Sequence, residues 1–349
     1  MAPTMMTACV LHGIGDLRVE QVPVPIPAAD EVLLRVCASG VCGSDVQRIF
    51  EKGAYHFPTI PGHEFSGEVA AVPEGGDTAL LGKKAAVFPL IPCRKCLSCE
   101  VGEYAQCADY DYYGSRRDGG FAEYLAVKTA NLVLLPEAVS FEEAALCEPT
   151  AVAIHALSQV GVAFGDTVAI YGAGTIGVML AKIARAWGAG RVVLIDIDPL
   201  KLAAARELGF SDSINSLDSD APAEIMALTG GHGADVVVEG TGVSVALENC
   251  MKSARTFGRV VLMGNPIKDM TLPQKAYWEI LRKQLTLKGT WNSSYNAMTN
   301  DWQNAVRAMP SLDLKPLITH RFPLSAGAVA IDVLRDKSQL VMKSMFIMD

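Results

Sequence analysis

Residues 166–196 constrain the fold of this chain more than any other stretch. An apolar, β-branched run from Asp166 to Tyr171 precedes a Gly-x-Gly-x-x-Gly sequence, and a helical pattern with apolar residues at 3.6-residue spacing follows. A second apolar run then ends at Asp196. This order predicts a buried strand, a glycine turn, a helix and a second, parallel strand.

The glycines and the acid at the two ends of this unit predict a dinucleotide site. Gly172 permits a tight turn, Gly174 lets the backbone approach a pyrophosphate, and Gly177 lets helix and strand pack closely. The helix N-terminus favours the phosphate anions. Asp196 can accept hydrogen bonds from the adenosine ribose, and its charge would repel a 2′-phosphate, so the sequence favours NAD over NADP.

Further alternations of strand and helix follow, and together they predict a Rossmann, doubly wound parallel sheet of six strands in the α/β class. Ligands of such sheets bind beyond the carboxyl ends of the strands. The candidate cofactor-binding residues are therefore Gly172, Gly174, Thr175, Ile176, Gly177, Asp196, Lys201, Thr241, Gly264, Asn265 and Thr290.

The first part of the chain has a different pattern. Residues 7–40 contain period-2 alternation and a proline-rich connector, which predict the strands of a small barrel or partly open sheet. We expect a β-rich domain over residues 1–151, a dinucleotide domain over 152–291, and a C-terminal segment over 292–349. The β-like tail from Leu340 to Ile347 predicts that this last segment completes the first domain.

Two groups of side chains in the first domain have the composition of metal sites. Cys42 precedes His63 by 21 residues, and Glu64 follows directly. Thiolate, imidazole and carboxylate are all zinc ligands, although a buried cysteine and a turn histidine would also explain the first two.

The second group is more specific. Cys93, Cys96, Cys99 and Cys107 lie within 15 residues, among charged and polar neighbours. This spacing predicts a closed, structural zinc site that staples a loop. An iron–sulfur cluster and disulfides are the alternatives, but the x3-Cys-Pro continuation of ferredoxins is missing.

Two further features are candidates for binding. Arg116 and Arg117 could bind an anionic substrate group, or form a solvated turn or a structural salt bridge. Glu148 lies in an apolar, helical stretch where Pro149 is expected to kink the helix at Glu148. A carboxylate there is costly unless it is paired or binds a metal.

Composition excludes several classes of protein. The formal net charge is -8, which argues against nucleic acid or an anionic membrane surface as the partner. The sequence has neither a signal-peptide pattern nor about 18 consecutive apolar residues, so we expect a cytoplasmic protein without a membrane span. Nine cysteines then indicate thiols and metal ligands.

The order of these motifs resembles the zinc-dependent medium-chain dehydrogenases along the whole chain. The motifs are Cys42-Gly43-Ser44-Asp45, Gly62-His63-Glu64, the four-cysteine lobe, Glu148-Pro149 and Gly172 to Gly177. The resemblance implies a GroES-like catalytic domain and a Rossmann domain with the active site in the cleft between them. It also implies NAD and two zinc ions, one catalytic and one structural.

The resemblance assigns roles residue by residue. Cys42 and His63 match catalytic zinc ligands, and Glu64 matches a carboxylate that binds the zinc or waits beside it. Glu148 stands where alcohol dehydrogenases have a cysteine ligand, and a glutamate there is similar to the polyol dehydrogenase branch; Cys147 is the alternative in register. Ser44 matches the hydroxyl that relays the alcohol proton, and Asp45 the carboxylate that orients His63.

Residues 115–124 and 281–291 resemble the galactitol-1-phosphate 5-dehydrogenase sub-family most. This implies oxidation of a polyol or sugar-phosphate alcohol to a ketone, with Ser44, His56, Arg116 and Arg117 near the substrate. Sorbitol, butanediol and threonine dehydrogenases are the alternatives within the family. A non-catalytic NAD-binding relative would keep the fold but lose the zinc ligands. We expect a homodimer or homotetramer, because the outer strands of Rossmann sheets in these relatives often pair across a two-fold axis.

Overall fold

The computed structural model describes residues 3–348, and these divide into two compact units. Unit 1 contains residues 1–151 and 294–349, and unit 2 contains residues 152–293. None of the helices in the described range has the length and apolar character needed to cross a membrane.

The strands, in chain order, are β1 (Met5–Gly13), β2 (Asp16–Pro23), β3 (Glu31–Val41), β4 (Glu64–Ala71), β5 (Lys84–Val87), β6 (Leu90–Ile91), β7 (Asp111–Tyr112), β8 (Tyr124–Lys128), β9 (Leu132–Leu134), β10 (Thr167–Tyr171), β11 (Arg191–Asp196), β12 (Ser213–Asn215), β13 (Ala234–Glu239), β14 (Ala254–Leu262), β15 (Thr286–Gly289), β16 (Ile318–Phe322) and β17 (Lys343–Ile347).

The α-helices are α1 (Gly43–Gln47), α2 (Leu97–Glu100), α3 (Phe141–Ala145), α4 (Cys147–Ser158), α5 (Thr175–Ala186), α6 (Pro199–Glu207), α7 (Ala221–Leu228), α8 (Ser244–Ser253), α9 (Gln274–Arg282), α10 (Asp301–Leu312) and α11 (Gly327–Asp332).

Unit 1 is built around β3, which is buried along nearly its whole length. Strands β17 and β4 pair with β3 in antiparallel fashion, and β8 pairs with its first half. The order of the main sheet is β16-β17-β3-β4-β5-β9. Aromatic side chains fill the core beside it, including Phe121 against Phe346 with ring centroids 4.8 Å apart. Because β3 is paired with a strand on each side near its end, the position of the next residue, Cys42, is well defined.

Unit 2 is a parallel sheet with the strand order β12-β11-β10-β13-β14-β15. The first three strands, β10 to β12, extend the sheet in one direction, and the last three, β13 to β15, extend it in the other. This is the doubly wound order. The prediction of a six-stranded Rossmann sheet in one unit and a β-rich fold in the other is therefore confirmed. Valine and isoleucine dominate β10, β11 and β13, because strands covered on both faces must be apolar throughout.

Some local predictions were wrong. The helix expected to kink at Glu148 is instead two helices that break at Leu146, so Pro149 lies in the first turn of α4. Proline is tolerated there because first-turn N–H groups have no partner in the helix. Helix α9 was not predicted, since its apolar side chains are largely exposed and only Ala276 is buried.

Candidate active site

The ends of three strands meet at one point of unit 1. Gly40 of β3 lies opposite Glu64 of β4, and Val41 of β3 lies opposite Ser344 of β17. Cys42 follows the end of β3, His63 precedes β4, and Lys343 begins β17. Antiparallel register therefore brings together three side chains that are far apart in sequence.

Cys42, His63 and Glu64 form a compact group of donors. One ligand atom from each lies within 4.8 Å of the other two. His63 and Glu64 are buried, while Cys42 is partly exposed at the start of α1. The structure thus brings together the three residues whose motif first suggested a metal.

The carboxylate of Asp45 contacts the imidazole ring of His63. It is completely buried, and its Oδ1 atom lies 3.3 Å from His63 Nδ1 and 2.9 Å from Arg48 Nη1. The backbone N–H of Cys42 donates to its Oδ2 atom at 2.9 Å. The Nδ1 contact is an ion pair rather than a well-aligned hydrogen bond. With Nδ1 turned toward Asp45, Nε2 is the nitrogen left for a metal.

These contacts shift the pKa of both groups. Burial alone would lower the pKa of His63, but the charge of Asp45, with a smaller contribution from Cys42, outweighs it and raises the pKa well above its usual range. Burial likewise opposes ionisation of Asp45, yet His63 and Arg48 lower its pKa. A proton on His63 therefore competes with any metal for the ring.

Lys343 neutralises Glu64. Its Nζ atom lies 2.6 Å and 2.8 Å from the two carboxylate oxygens, and it also donates to the carbonyl oxygen of Val41 at 3.3 Å. Both side chains are buried. Burial would lower the pKa of Lys343, but the charge of Glu64 raises it, so the ammonium form persists. Two charges in a low-dielectric interior require this pairing.

Glu148 is close to the group of three donors but is not part of it. It is buried, and its Oε1 atom accepts a long hydrogen bond of 3.5 Å from the Tyr112 hydroxyl. Burial raises its pKa to about 7, with a further increase from Glu64, while His63 and Lys343 act in the opposite direction. The neighbouring Cys147 contacts the carbonyl oxygen of Trp302 instead, so the structure favours Glu148 over Cys147 as the metal-facing residue.

The charges of this pocket fit a divalent cation. If a metal displaces the protons of this pocket, the deprotonated groups of Asp45, Glu64, Glu148 and Cys42 carry four negative charges, whereas Lys343 and Arg48 carry two positive charges. Zn²⁺ would balance the excess of two negative charges, and its binding would release the protons that the raised pKa values of His63 and Glu148 favour. The donor types are also those that zinc takes in catalytic sites with three protein ligands.

The four cysteines of the loop lobe converge as well. The Sγ atoms of Cys96 and Cys99 are 3.6 Å apart, those of Cys96 and Cys107 3.9 Å, and those of Cys93 and Cys99 4.0 Å. A tetrahedron with Zn–S bonds of about 2.3 Å has edges of about 3.8 Å. All four are free thiols at these separations, so the structure favours the metal over the disulfide alternative.

In unit 2, the glycines of the turn have distinct environments. Gly172 has a φ of 108°, and a Cβ on Gly177 would lie 1.8 Å from the carbonyl oxygen of Gly172. A Cβ on Gly174, in contrast, would meet nothing within 4 Å. The first and third glycines are thus needed by the backbone itself, while the second faces open space at the N-cap of α5, which fits a pyrophosphate.

The remaining candidate cofactor residues lie at the carboxyl ends of the parallel strands. The Oδ2 atom of Asp196 accepts from Ala173 N at 2.7 Å, so the acid is fixed beside the glycine turn. The buried hydroxyl of Thr290 has no hydrogen-bond partner in the described chain, which suits a ligand contact. Lys201 instead faces Asp198 at 3.9 Å. Also at this edge are Thr175, Ile176, Thr241, Gly264 and Asn265.

The four candidate substrate residues differ in their surroundings. Ser44 is partly exposed in the first turn of α1, two residues after Cys42. His56 Nε2 lies 3.1 Å from the carbonyl oxygen of Arg116. Arg116 stacks on two tyrosines, whereas Arg117 faces Glu31 and Asp111.

Sequence reasoning missed three residues that shape the sites. Lys343 could have been suspected as a lone cation in the apolar run of β17. Tyr112, with its ring 5.9 Å from that of His63, carried no signal. Glu239 ends the apolar strand β13 and accepts three hydrogen bonds from residues 241 and 242, so it shapes the loop at the cofactor edge.

Comparisons with known proteins agree with this geometry. The family model described as an alcohol dehydrogenase GroES-like domain matches residues 28–137, and that described as a zinc-binding dehydrogenase matches residues 175–311. The galactitol 1-phosphate 5-dehydrogenase of Escherichia coli (strain K12) is 39% identical over 92% of this chain and 94% of its own length. The sorbitol dehydrogenase of Bacillus subtilis (strain 168) is 37% identical over 76% and 77%.

Solved structures give the same answer. The crystal structure of galactitol-1-phosphate dehydrogenase from Escherichia coli has a TM-score of 0.92 and 37% identity, covering 98% of this chain and 100% of that one. A short chain alcohol dehydrogenase from E. coli CFT073, complexed with NADH, has a TM-score of 0.90 and 26% identity over 99% and 100%. A Sinorhizobium meliloti 1021 protein of the same TM-score, identity and coverage binds NADP.

The chain therefore belongs to the zinc-binding dehydrogenase family. It is an oxidoreductase of the alcohol and polyol dehydrogenase kind, and the predicted family resemblance is confirmed.

Competition between proton and metal at His63 gives a testable pH dependence. Below its raised pKa the ring is protonated and cannot bind zinc, so zinc affinity should increase as pH rises through the neutral range. Chelator competition at several pH values measures this, with Cys42→Ser as the background that keeps only the four-cysteine site. In Asp45→Asn the charge that raises the pKa of His63 is lost, so zinc no longer displaces a proton from this ring. The slope of log affinity against pH should therefore fall by about one. A slope that is the same in wild type and Asp45→Asn would contradict the assignment.

The buried pair of Lys343 and Glu64 gives a second prediction. Lys343→Met leaves a buried, unpaired carboxylate and should cost roughly 3–5 kcal/mol of stability in the zinc-free protein. Zinc should then raise the Tm more in Lys343→Met than in wild type, because the metal can neutralise Glu64. The double variant Lys343→Met with Glu64→Gln is the control and should recover most of the loss. Equal zinc-induced shifts in wild type and Lys343→Met, by calorimetry, would place Glu64 out of reach of the metal.

Proposed function

We propose that this chain oxidises a secondary alcohol of a polyol or polyol phosphate to a ketone, with hydride transfer to NAD. Galactitol 1-phosphate is the leading substrate, and sorbitol, butanediol and threonine are the alternatives. The observation that carries the proposal is the buried convergence of Cys42, His63 and Glu64, with Glu148 beside them. A non-catalytic relative would have no reason to keep these donors together.

Cys42 and His63, with Glu64 or Glu148 as the carboxylate, would hold the catalytic zinc. When bound, zinc supplies a Lewis acid that lowers the pKa of a substrate hydroxyl, and NAD supplies the hydride acceptor. Cys93, Cys96, Cys99 and Cys107 would hold the structural zinc, whose role is to order a loop with little core of its own.

The other residues of the site position groups and move the proton. The carboxylate of Asp45 lies 3.3 Å from His63 Nδ1 and so favours the ring orientation that leaves Nε2 for the metal. Lys343 holds the carboxylate of Glu64 in one place. The hydroxyl of Ser44, partly exposed and two residues from Cys42, would carry the alcohol proton toward solvent. His63, Glu64 and Glu148 are buried, which strengthens the electrostatic interactions among them.

The choice of NAD rests on Asp196. Its carboxylate is held beside the glycine turn by Ala173 N, while Ile197 N and Asp198 N donate to its other oxygen at 2.8 Å and 3.0 Å. A carboxylate fixed in this place accepts from the ribose hydroxyls and repels a 2′-phosphate. One similar structure binds NADP and another binds NADH, so the fold alone does not choose between them and Asp196 carries the proposal.

We also propose self-association as a homodimer or homotetramer. Strand β15 is an outer strand of the six-stranded sheet, and its preceding helix α9 exposes Tyr277, Trp278 and Leu281 by 53%, 45% and 48%. Outer strands with apolar neighbours favour pairing with a second copy.

The proposed function is tested by a substrate screen on wild type and Cys42→Ser. Wild type should reduce NAD with galactitol 1-phosphate in preference to sorbitol, butanediol or threonine. Cys42→Ser should lose about a thousandfold in kcat, because the metal's contribution to the barrier is several kcal/mol, and should contain one zinc instead of two.

The matched control is Cys37→Ser. This thiol is buried in β3, its Sγ atom lies 3.6 Å from the carbonyl oxygen of Arg35, and the variant should keep turnover. NAD affinity, measured by calorimetry, should be the same in all three proteins. Full turnover by Cys42→Ser would refute the assignment of the catalytic metal.

Cofactor preference is tested at Asp196. Asp196→Asn keeps the shape but removes the charge, so the ratio of kcat/KM for NAD to that for NADP should fall by about 10- to 100-fold, the worth of one charged hydrogen bond. Asp198→Asn is the matched control, since this acid caps α6 through Leu200 N at 2.9 Å. It should leave the ratio unchanged. Unchanged preference in Asp196→Asn would refute the role of the carboxylate.

A further inference from the structure

Two adjacent arginines in unit 1 have opposite electrostatic surroundings. Arg117 is matched by acids, with Nη2 at 3.4 Å from Glu31 Oε1 and Nη1 at 3.6 Å from Asp111 Oδ2. Arg116 has no carboxylate within 4.0 Å in residues 3–348, and its terminal nitrogens meet neutral oxygens, the carbonyl of Tyr110 at 3.0 Å and the hydroxyl of Tyr55 at 3.5 Å. One guanidinium charge is thus neutralised, and the other is not.

Aromatic rings hold the guanidinium of Arg116. Its Cζ atom lies 4.4 Å from the ring centroid of Tyr55 and 4.4 Å from that of Tyr110. Stacking on rings fixes the plane of the guanidinium while leaving most of its five N–H donors for an acceptor in that plane. This is the arrangement in which arginine binds a phosphate through two parallel hydrogen bonds.

The loop that carries Tyr55 is tied to the same arginine. His56 Nδ1 lies 3.0 Å from the carbonyl oxygen of Pro58, and His56 Nε2 lies 3.1 Å from that of Arg116. A neutral imidazole can donate to only one of these two carbonyl oxygens at a time, so His56 contacts the backbone of Arg116 without locking it.

A line of aromatic rings connects Arg116 to the candidate metal site. The Tyr110 ring lies edge-on to that of Tyr112 with centroids 6.2 Å apart, and the Tyr112 ring lies 5.9 Å from that of His63. The hydroxyl of Tyr112 reaches Glu148. Arg116 is thus connected to His63 through the rings of Tyr110 and Tyr112. A phosphate bound at Arg116 would lie on the side of the candidate metal site that Tyr112 occupies.

We propose that Arg116, and not Arg117, binds the phosphate of the substrate, with Tyr55 and Tyr110 as its supports. Arg117 is instead a structural residue of the Glu31 and Asp111 network. This inference rests on the proposed function, since it concerns the phosphorylated substrate of the same site.

The experiment compares galactitol 1-phosphate with galactitol in wild type, Arg116→Gln and Arg117→Gln. In Arg116→Gln the ratio of kcat/KM for the phosphate to that for the free polyol should fall by about 10- to 100-fold, the value of a charged hydrogen bond. Arg116→Lys, which keeps the charge but not the fork, should lie between Arg116→Gln and wild type. Arg117→Gln should lower the Tm and leave the ratio unchanged.

A binding measurement separates recognition from turnover. Calorimetric titration with galactitol 1-phosphate in the presence of NADH should show weaker binding to Arg116→Gln than to wild type, with a smaller loss of affinity on adding salt. A wild type that prefers galactitol would refute the phosphorylated substrate itself. A wild type that prefers the phosphate, together with an Arg116→Gln that keeps this preference or an Arg117→Gln that loses it equally, would overturn the assignment of Arg116 alone.

Discussion

The structure of unit 1 depends on a set of buried charges that must balance each other. Asp45, Glu64 and Glu148 are carboxylates with almost no exposure, and burial of a charge is costly unless a partner compensates it. Arg48 and Lys343 supply part of the compensation. When His63 is neutral and the acids are ionised, the negative charge that remains matches a divalent cation, which supports the proposed metal site at the ends of β3 and β4.

Strand register makes this balance achievable. Hydrogen bonding of β3 to both β4 and β17 places Cys42, His63 and Lys343 at one end of one sheet, each at a strand end or next to one. In unit 2 the strands are parallel, and residues at strand ends are again brought together. Its strands end at one edge, and Asp196, Thr241 and Thr290 are carried there by β11, β13 and β15 or the residues that follow them. In both units, the sheet fixes the positions of the strand ends, and the candidate site residues lie at those ends.

Local motifs of the sequence predicted much of this arrangement. The glycine turn, each parallel strand and the four-cysteine lobe are each encoded by a short, continuous stretch of sequence. The spacing of residues within that stretch is therefore informative. The pairing of Lys343 with Glu64 spans 279 positions, and no spacing rule reaches that far. The break at Leu146 was also out of reach, because Pro149 fits a first helical turn as well as it fits a kink.

The two arginines show the same limit from another side. Arg116 and Arg117 are identical to a reader of the sequence, and both were candidates for an anion. Only tertiary structure separates them, because Glu31 and Asp111 come from distant or short strands that happen to meet Arg117. A charged residue in a sequence is a candidate for binding an ion. The acids that pair with it in the folded protein decide whether its charge is available to a ligand.

The central claim is that Cys42, His63 and a nearby glutamate hold a second zinc in addition to that of the four cysteines. Anomalous diffraction at the zinc absorption edge, from crystals of the zinc-loaded protein, tests it most directly. We predict two peaks, one among Cys93, Cys96, Cys99 and Cys107 and one bounded by Cys42, His63 and the carboxylate of Glu64 or Glu148. A single peak within the four-cysteine lobe would contradict it.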